Sequence, residues 1–416
     1  MFLKKLQLKN FKCLANIELS FDQTKGSNRA WTLILGENGT GKSNLLKAIA
    51  LVTCGSNGLS ELLGDTDSWI KNGENSCHIK AVLTTKTGEE REVSLTINRN
   101  ESFSTIISTN LESLQKIDEA INYADRNYFT VGYGAGRRLP SSEMLNLEKY
   151  SARSRALNVR SLFSPSATLN PLTSWIINLD YSSGEKGIAI VKETLNNFLP
   201  NTSFHSIDKE KRQVLFATVD GIVPLEYLSD GYQNMAAWIG DLLFRVTETF
   251  SDYKNPLSAR GILLIDELDL HLHPKWQRQL LDFISQKLPN FQVIATTHSA
   301  LTAQQASEGE LFALKRNSFN QIELIPFVGN PRYLLVNQLL MTPVFGLETD
   351  ESFEIEKLKE LYEELRNKSS MTDEDTKKLR KIGQLLQEKA PKRVPSQISE
   401  QSIDLLTRLE ENLKLL

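Results

Sequence analysis

The segment Gly36-Glu37-Asn38-Gly39-Thr40-Gly41-Lys42-Ser43 constrains this chain more than any other feature. Gly, four residues, then Gly-Lys-Ser is the pattern of a phosphate cradle. Its glycines let the backbone curl until several N–H groups point at one anion. A helix beginning at the end of the loop aims its positive end at the same point. Lys42 adds a charge that reaches β- and γ-phosphates, and Ser43 offers a hydroxyl to magnesium. The flanks agree, with a short apolar run from Trp31 to Leu35 that reads as a strand and a stretch from Ser43 to Ala50 that reads as a helix. Strand, loop and helix in that order favour a nucleotide site over a glycine-rich turn without a ligand.

A second half of such a site stands far along the chain. Gly261 to Ile265 is an apolar strand that ends in Asp266-Glu267. Open α/β sheets bind ligands at the C-terminal edge of their strands, where this pair would lie. Asp266 is expected in the magnesium shell, and Glu267 is expected to orient or deprotonate the attacking water. Two acids at a strand end are common; the pair gains its meaning from the loop. Leu228-Ser229-Asp230-Gly231 opens a helix whose apolar residues Met235, Trp238, Ile239, Leu242, Leu243 and Val246 recur at helical spacing. That start suits an anion, and suits a plain N-cap equally. Gln292 to Thr296 reads as another strand, followed by Thr297-His298-Ser299.

Short apolar strands alternating with helices indicate an α/β fold with a mostly parallel sheet covered on both faces. Ile17, Leu19 and Phe21 alternate with polar residues as in a half-buried strand, and Ile79–Thr85 and Arg91–Ile97 read as a hairpin. Helices are expected at 112–125, at 185–198 and from Trp276, and an exposed segment within 134–171. Beyond residue 350 the chain is rich in Glu, Lys and Leu. One apolar stripe is expected at Ile355, Leu358, Leu361 and Leu365, another at Leu379, Ile382, Leu385 and Leu386, with a helix start at Thr372-Asp373-Glu374-Asp375 and a last helix near 399–415.

Taken in order, these motifs resemble ABC-type ATPases of the SMC and RecF-like branch. Asn10-Phe11-Lys12, the phosphate loop, Leu-Ser-x-Gly at 228–231, Asp266-Glu267 and His298 carry the resemblance. It implies ATP and Mg2+ as ligands. Gly36, Glu37, Asn38, Gly39, Thr40, Gly41, Lys42, Ser43 and Asn44 would hold the nucleotide, with Lys12 beside them. Ser43 and Asp266 would hold the metal; Glu267, Lys42 and His298 would serve catalysis. Two heads would pair face to face, so that Ser229 and Gly231 of one subunit contact the γ-phosphate held by the other, with Leu268-Asp269 at the seam. The implied organisation is an ATPase core at 1–55 and 225–345, an inserted β and helical subdomain at 56–224, and a helical tail at 346–416. The sequence departs from the family pattern at Asp230, where Gly is usual in transporters, and at Tyr232. No glutamine loop is evident. Gly132 to Arg138 occupies that region, with Arg137 either a phosphate or partner contact or a solvated arginine.

Leu-Ser-Asp-Gly-Tyr-Gln, Ile-Asp-Glu-Leu-Asp-Leu-His-Leu-His-Pro-Lys-Trp-Gln and Thr-Thr-His-Ser narrow the likeness to compact antiphage-defence ATPases of the Septu PtuA and retron-associated type. That likeness implies an oligomer acting beside a separate HNH-type nuclease chain. The alternative is a RecF-like repair ATPase that clamps DNA. The long span between Ser43 and Ser229 argues against the energy subunit of a transporter.

Composition limits the remaining options. Net charge is −3, so any nucleic-acid contact must be local. Lys149, Tyr150, Arg153, Arg155 and Arg160 form the one basic patch considered for it. No apolar run is long enough to cross a bilayer and the N-terminus lacks the apolar core of a signal peptide, so a cytoplasmic protein is expected. Three cysteines without metal spacing indicate free thiols. His271 and His273 lack a third zinc ligand nearby and suit the dimer seam better. No H-x-x-H signature occurs, no other nuclease signature is evident and the tail is short, so no intrinsic nuclease is expected.

Overall fold

The computed structural model describes residues 1–22, 29–85, 88–124, 128–137, 155–199, 201–253, 255–368 and 372–389. Met1–Gly346 form one compact unit and Leu347–Leu416 a second.

The first unit begins with strands β1 (Phe2–Phe11), β2 (Leu14–Ser20) and β3 (Trp31–Gly36), then helices α1 (Lys42–Thr53) and α2 (Gly55–Leu62). Next come β4 (Ser76–Thr84), β5 (Glu90–Asn98), α3 (Phe103–Thr109), α4 (Leu111–Ala124) and β6 (Thr130–Tyr133). Helices α5 (Arg155–Phe163) and α6 (Leu172–Phe198) precede the small sheet of β7 (Ser203–Asp208), β8 (Gln213–Thr218) and β9 (Gly221–Pro224). The unit closes with α7 (Asp230–Thr249), β10 (Gly261–Ile265), α8 (Pro274–Gln277), α9 (Leu280–Lys287), β11 (Phe291–Thr296), α10 (Ala300–Ala303), β12 (Leu311–Arg316), β13 (Ile322–Pro326) and α11 (Val336–Leu340).

The central sheet has the order β13-β12-β3-β11-β10-β6. Every neighbouring pair is parallel except β12 with β13. Its inner strands β3, β10 and β11 are mostly apolar and buried because each side of the sheet is covered there. Leu33, Leu35, Leu263, Ile265, Val293 and Ala295 face one core with α6, α7 and α9. Ile34, Ile262, Leu264 and Ile294 face the other, built on α1 and the antiparallel sheet β2-β1-β4-β5. The period of two thus divides each strand between two cores.

Residues 56–224, expected as an inserted subdomain, are woven into this unit: β4 pairs with β1, and β6 pairs with β10. The expected helix at 185–198 is the second half of α6, which starts at Leu172 and kinks at Gly184. Part of the segment expected to be exposed is instead α5, with Ala156, Val159 and Leu162 buried. Residues 138–154 lie outside the described residues, as does the last helix expected near 399–415.

A buried ionic network ties α7 to β6. Asp241 and Arg245 pair at 2.6 Å, one turn apart and almost wholly buried. Tyr133 donates to Asp241 at 2.9 Å, and Arg245 donates to Asn158 on α5 at 2.6 Å. Burial, followed by the adjacent Asp241 carboxylate, pushes the Tyr133 hydroxyl well above its usual pKa, so it stays a donor.

In the second unit, α12 (Phe353–Arg366) and α13 (Asp373–Lys389) pack together. Ile355 is buried and Leu358 and Leu365 half-buried, but Leu361 is 46% exposed. Six residues beyond Ile355 is about 240° around a helix, off the buried face; Tyr362 takes the inward position beside Gly383. Thr372 Oγ1 accepts from Asp375 N at 3.2 Å and Asp375 accepts from Thr372 N at 3.1 Å, the reciprocal cap expected there.

Removing one partner of a buried pair strands the other charge. Arg245→Ala is expected to lower unfolding stability by about 3–5 kcal/mol, read from the chemical denaturation midpoint. Lys116→Ala, which breaks the exposed Glu112–Lys116 pair, should leave the midpoint unchanged.

Candidate functional site

β3, β11 and β10 lie side by side and end at one sheet edge. The phosphate loop leaves β3 there. Its apex at Glu37, Asn38 and Gly39 is exposed, and Thr40 braces it by donating to the Glu37 carbonyl at 2.8 Å. Gly41 is the N-cap of α1 at φ 91, where a Cβ would lie 2.7 Å from Cys13 Sγ. A side chain there would be strained in its backbone and crowded as well. With no side-chain cap, the first amides of α1 stay open to an anion. Asn44, on the first turn of α1, donates to Cys13 Sγ at 3.6 Å.

Lys42 is only 7% exposed, and its ammonium donates to the carbonyls of Gly36 at 2.7 Å and Glu37 at 3.0 Å. Burial lowers its pKa, while Asp266 and Glu267 pull it back up. The ammonium therefore stands inside the cradle with the two acids near it. Ser43 Oγ donates to Asp266 Oδ2 at 2.6 Å. The other oxygen of Asp266 accepts from Thr296 Oγ1 at 2.7 Å. A hydroxyl and a pinned carboxylate in contact are the oxygen donors a hard divalent cation requires, so this pair fits magnesium.

Glu267 follows at φ 49, the left-handed region that costs a non-glycine residue roughly 1–2 kcal/mol. Both of its backbone groups are held. Its N–H donates to Thr296 Oγ1 at 2.8 Å, and its carbonyl accepts from Arg137 Nη2 at 2.6 Å. Leu268 N donates to Thr296 O at 2.9 Å, so the turn after β10 is fastened to β11. Asp269 accepts from Thr297 Oγ1. Burial raises the Asp269 pKa, opposed by the Thr297 bond, by an amide and by His298, among other groups. His298 itself is exposed at the edge.

Other candidates fall elsewhere. Lys12 donates to Ser68 O at 2.9 Å and lies 4.3 Å from the centre of the Trp69 ring. Its ammonium is thus engaged by the segment before β4. Ser229 is the N-cap of α7 but makes no side-chain cap bond, so its hydroxyl does not do the work of a plain cap. Gly231 lies against the His271 carbonyl. Ser229, Gly231, Tyr232, His271, Lys275 and Trp276 line a cavity of about 420 Å3 that no phosphate-loop residue lines. His273 caps α8 by accepting from Lys275 N, and no group of three potential metal-ligating side chains occurs among the described residues.

Arg137 is a correction. A solvated arginine was one expectation, yet Arg137 is 2% exposed. The basic patch changes too: Arg155 donates to the carbonyls of Thr53 at 3.0 Å and Tyr128 at 2.5 Å, a core role rather than a groove. Arg160 is exposed; Lys149, Tyr150 and Arg153 lie outside the described residues. The sequence reading missed Thr296, whose hydroxyl joins Asp266 to Glu267; its only signal was a polar residue ending an apolar strand. All three cysteines are free, and no helix among the described residues is long and apolar enough to cross a membrane.

The chain is 28% identical over 348 residues to the Septu protein PtuA of Bacillus mycoides, covering 83% of this chain and 45% of that protein. It therefore spans less than half the length of that relative. It is 22% identical to the Retron Vc95 probable ATPase of Vibrio cholerae, covering 79% of this chain and 77% of the relative. Among solved structures, an SMC head bound to the C-winged helix domain of ScpA aligns at TM-score 0.47 with 16% identity, covering 79% of this chain and 98% of that one. The family described as "AAA domain, putative AbiEii toxin, Type IV TA system" matches residues 32–303, more than half of the chain, and the chain belongs to that family of AAA-domain proteins.

Proposed function

We propose that the chain binds ATP with Mg2+ at the phosphate loop and hydrolyses it, and that two copies share the work head to head. The observation that carries this reading is the 2.6 Å bond between Ser43 and Asp266 beside the buried Lys42 ammonium. Lys42 and the open amides of α1 hold the β- and γ-phosphates. Ser43 and Asp266 hold the metal, which supplies charge neutralisation when bound. Glu267 orients the attacking water and takes its proton. His298, at the same edge, contacts the γ-phosphate end. Gly36 to Gly41 and Asn44 shape the cradle.

The separate cavity at Ser229 and Gly231 supports the two-copy reading, because those residues do not line this chain's own phosphate loop. Ser229 and Gly231 serve the nucleotide of a partner copy, with Asp269 near the seam. Likeness to relatives named for Septu and for a retron supports a role in antiphage defence, in which the chain regulates a nuclease supplied by a separate HNH-type chain.

Lys42→Ala is expected to weaken ATP binding about 10- to 100-fold by calorimetry, the loss of charge-assisted bonds. EDTA should weaken ATP binding by the parent protein. Ser43→Ala and Asp266→Asn should match the parent in EDTA and fail to regain affinity when Mg2+ is returned. Glu267→Gln is expected to slow phosphate release about 100- to 10,000-fold while ATP binding persists. Cells carrying Glu267→Gln should lose the phage protection conferred by the parent operon; protection that persists without hydrolysis would remove the regulatory reading.

A further inference from the structure

Arg137 is the buried charge that the reading above does not use. It follows β6, the strand beside β10, and so arrives at the edge where Asp266 and Glu267 emerge. Its approach depends on a small residue: a Cβ at Gly134 would lie 2.1 Å from the Ser161 carbonyl of α5. The chain after β6 therefore runs flush against α5 and turns the Arg137 side chain inward.

The guanidinium makes one described bond, from Nη2 to the Glu267 carbonyl at 2.6 Å. Nε and Nη1 have no hydrogen-bond partner among the described residues, although neither is exposed. Burial pulls the pKa down to about 10, against the carboxylates of Asp266, Glu267 and Asp269, which raise it. The group remains a cation at neutral pH. A buried cation with two unused donors is an expensive way to satisfy one carbonyl. The Leu270 N–H already donates to that carbonyl at 3.1 Å, so satisfying it does not require the cation. What the cation adds is charge against three acids and, beside the local Leu270 amide, a hold from the β6 side on the backbone group of Glu267 that Thr296 does not fasten.

We propose that Arg137 is a positioning residue for hydrolysis. Through the Glu267 carbonyl it fixes the left-handed backbone turn that sets the direction of the Glu267 carboxylate. Thr296 holds the amide side of the same residue from β11, so Glu267 is gripped between the two strands flanking β10. The proposal rests on Glu267 being the group that activates water.

The test measures kcat, KM and the ATP dissociation constant for Arg137→Met, Arg137→Lys and Glu267→Gln beside the parent protein. Arg137→Met is expected to lower kcat about 10- to 100-fold with ATP affinity within about threefold, because the cradle is untouched. Arg137→Lys, which keeps the charge and one donor, should recover part of kcat at unchanged affinity. The Lys variant keeps the comparison available if the Met variant does not fold. Unchanged kcat in both variants overturns the proposal. So does weakened ATP affinity with kcat retained at saturation, which would make Arg137 a nucleotide ligand. If Glu267→Gln still turns over like the parent, the water-activating role of Glu267 fails instead, and that failure is visible without reference to Arg137.

Discussion

The bond between Ser43 and Asp266 joins residues 223 positions apart, and the fold is arranged so that it can form. Ser43 opens the helix after β3; Asp266 ends β10. β11 lies between those strands, and Thr296 at its end holds the other oxygen of Asp266. Three parallel neighbours ending in register thus bring a hydroxyl, a carboxylate and a bridging threonine to one point. The edge of a parallel sheet is the natural place for this, because strand ends deliver side chains while the strands themselves stay buried.

Holding that edge in place requires support on both faces of the sheet. Alternate residues of β3, β10 and β11 enter different cores, so a shift by one residue would exchange the two faces of a strand. The Asp241–Arg245–Tyr133 network adds a polar lock between α7 and β6. That lock links the helix that starts at Ser229 to the strand that delivers Arg137. The N-cap of α7 and the turn at Glu267 are therefore built on elements joined through the interior, although Ser229 opens into a different cavity from the phosphate loop.

Much of this was legible in the chain. The phosphate loop announces itself because a backbone cradle needs glycine at fixed spacing, and Asp266-Glu267 because an apolar run ends in charge. The helical phase of α7 was readable because its buried face is continuous. What could not be read depends on contacts between distant segments. Arg137 and Arg155 look like ordinary surface cations in sequence, and only the path of β6 and α5 puts one against Glu267 and the other on the carbonyls of Thr53 and Tyr128. Thr296 shows in sequence only as a polar residue ending an apolar strand, and its bridging of Asp266 to Glu267 depends on the packing of β11 against β10. Leucine spacing alone puts Leu361 on the buried face of α12, but the helical phase gives that position to Tyr362.

In the proposed function ATP binding is an act of assembly: the loop, Asp266, Glu267 and His298 would belong to one copy, and Ser229 and Gly231 would serve another. The most direct test is the rate of phosphate release per chain as protein concentration is varied at saturating Mg2+-ATP. The account predicts that the rate per chain rises with concentration and levels off once the paired form dominates, in step with the dimer fraction from sedimentation. A rate per chain that stays flat across a range in which the protein passes from monomer to dimer would contradict it, because each chain would then carry a complete site of its own.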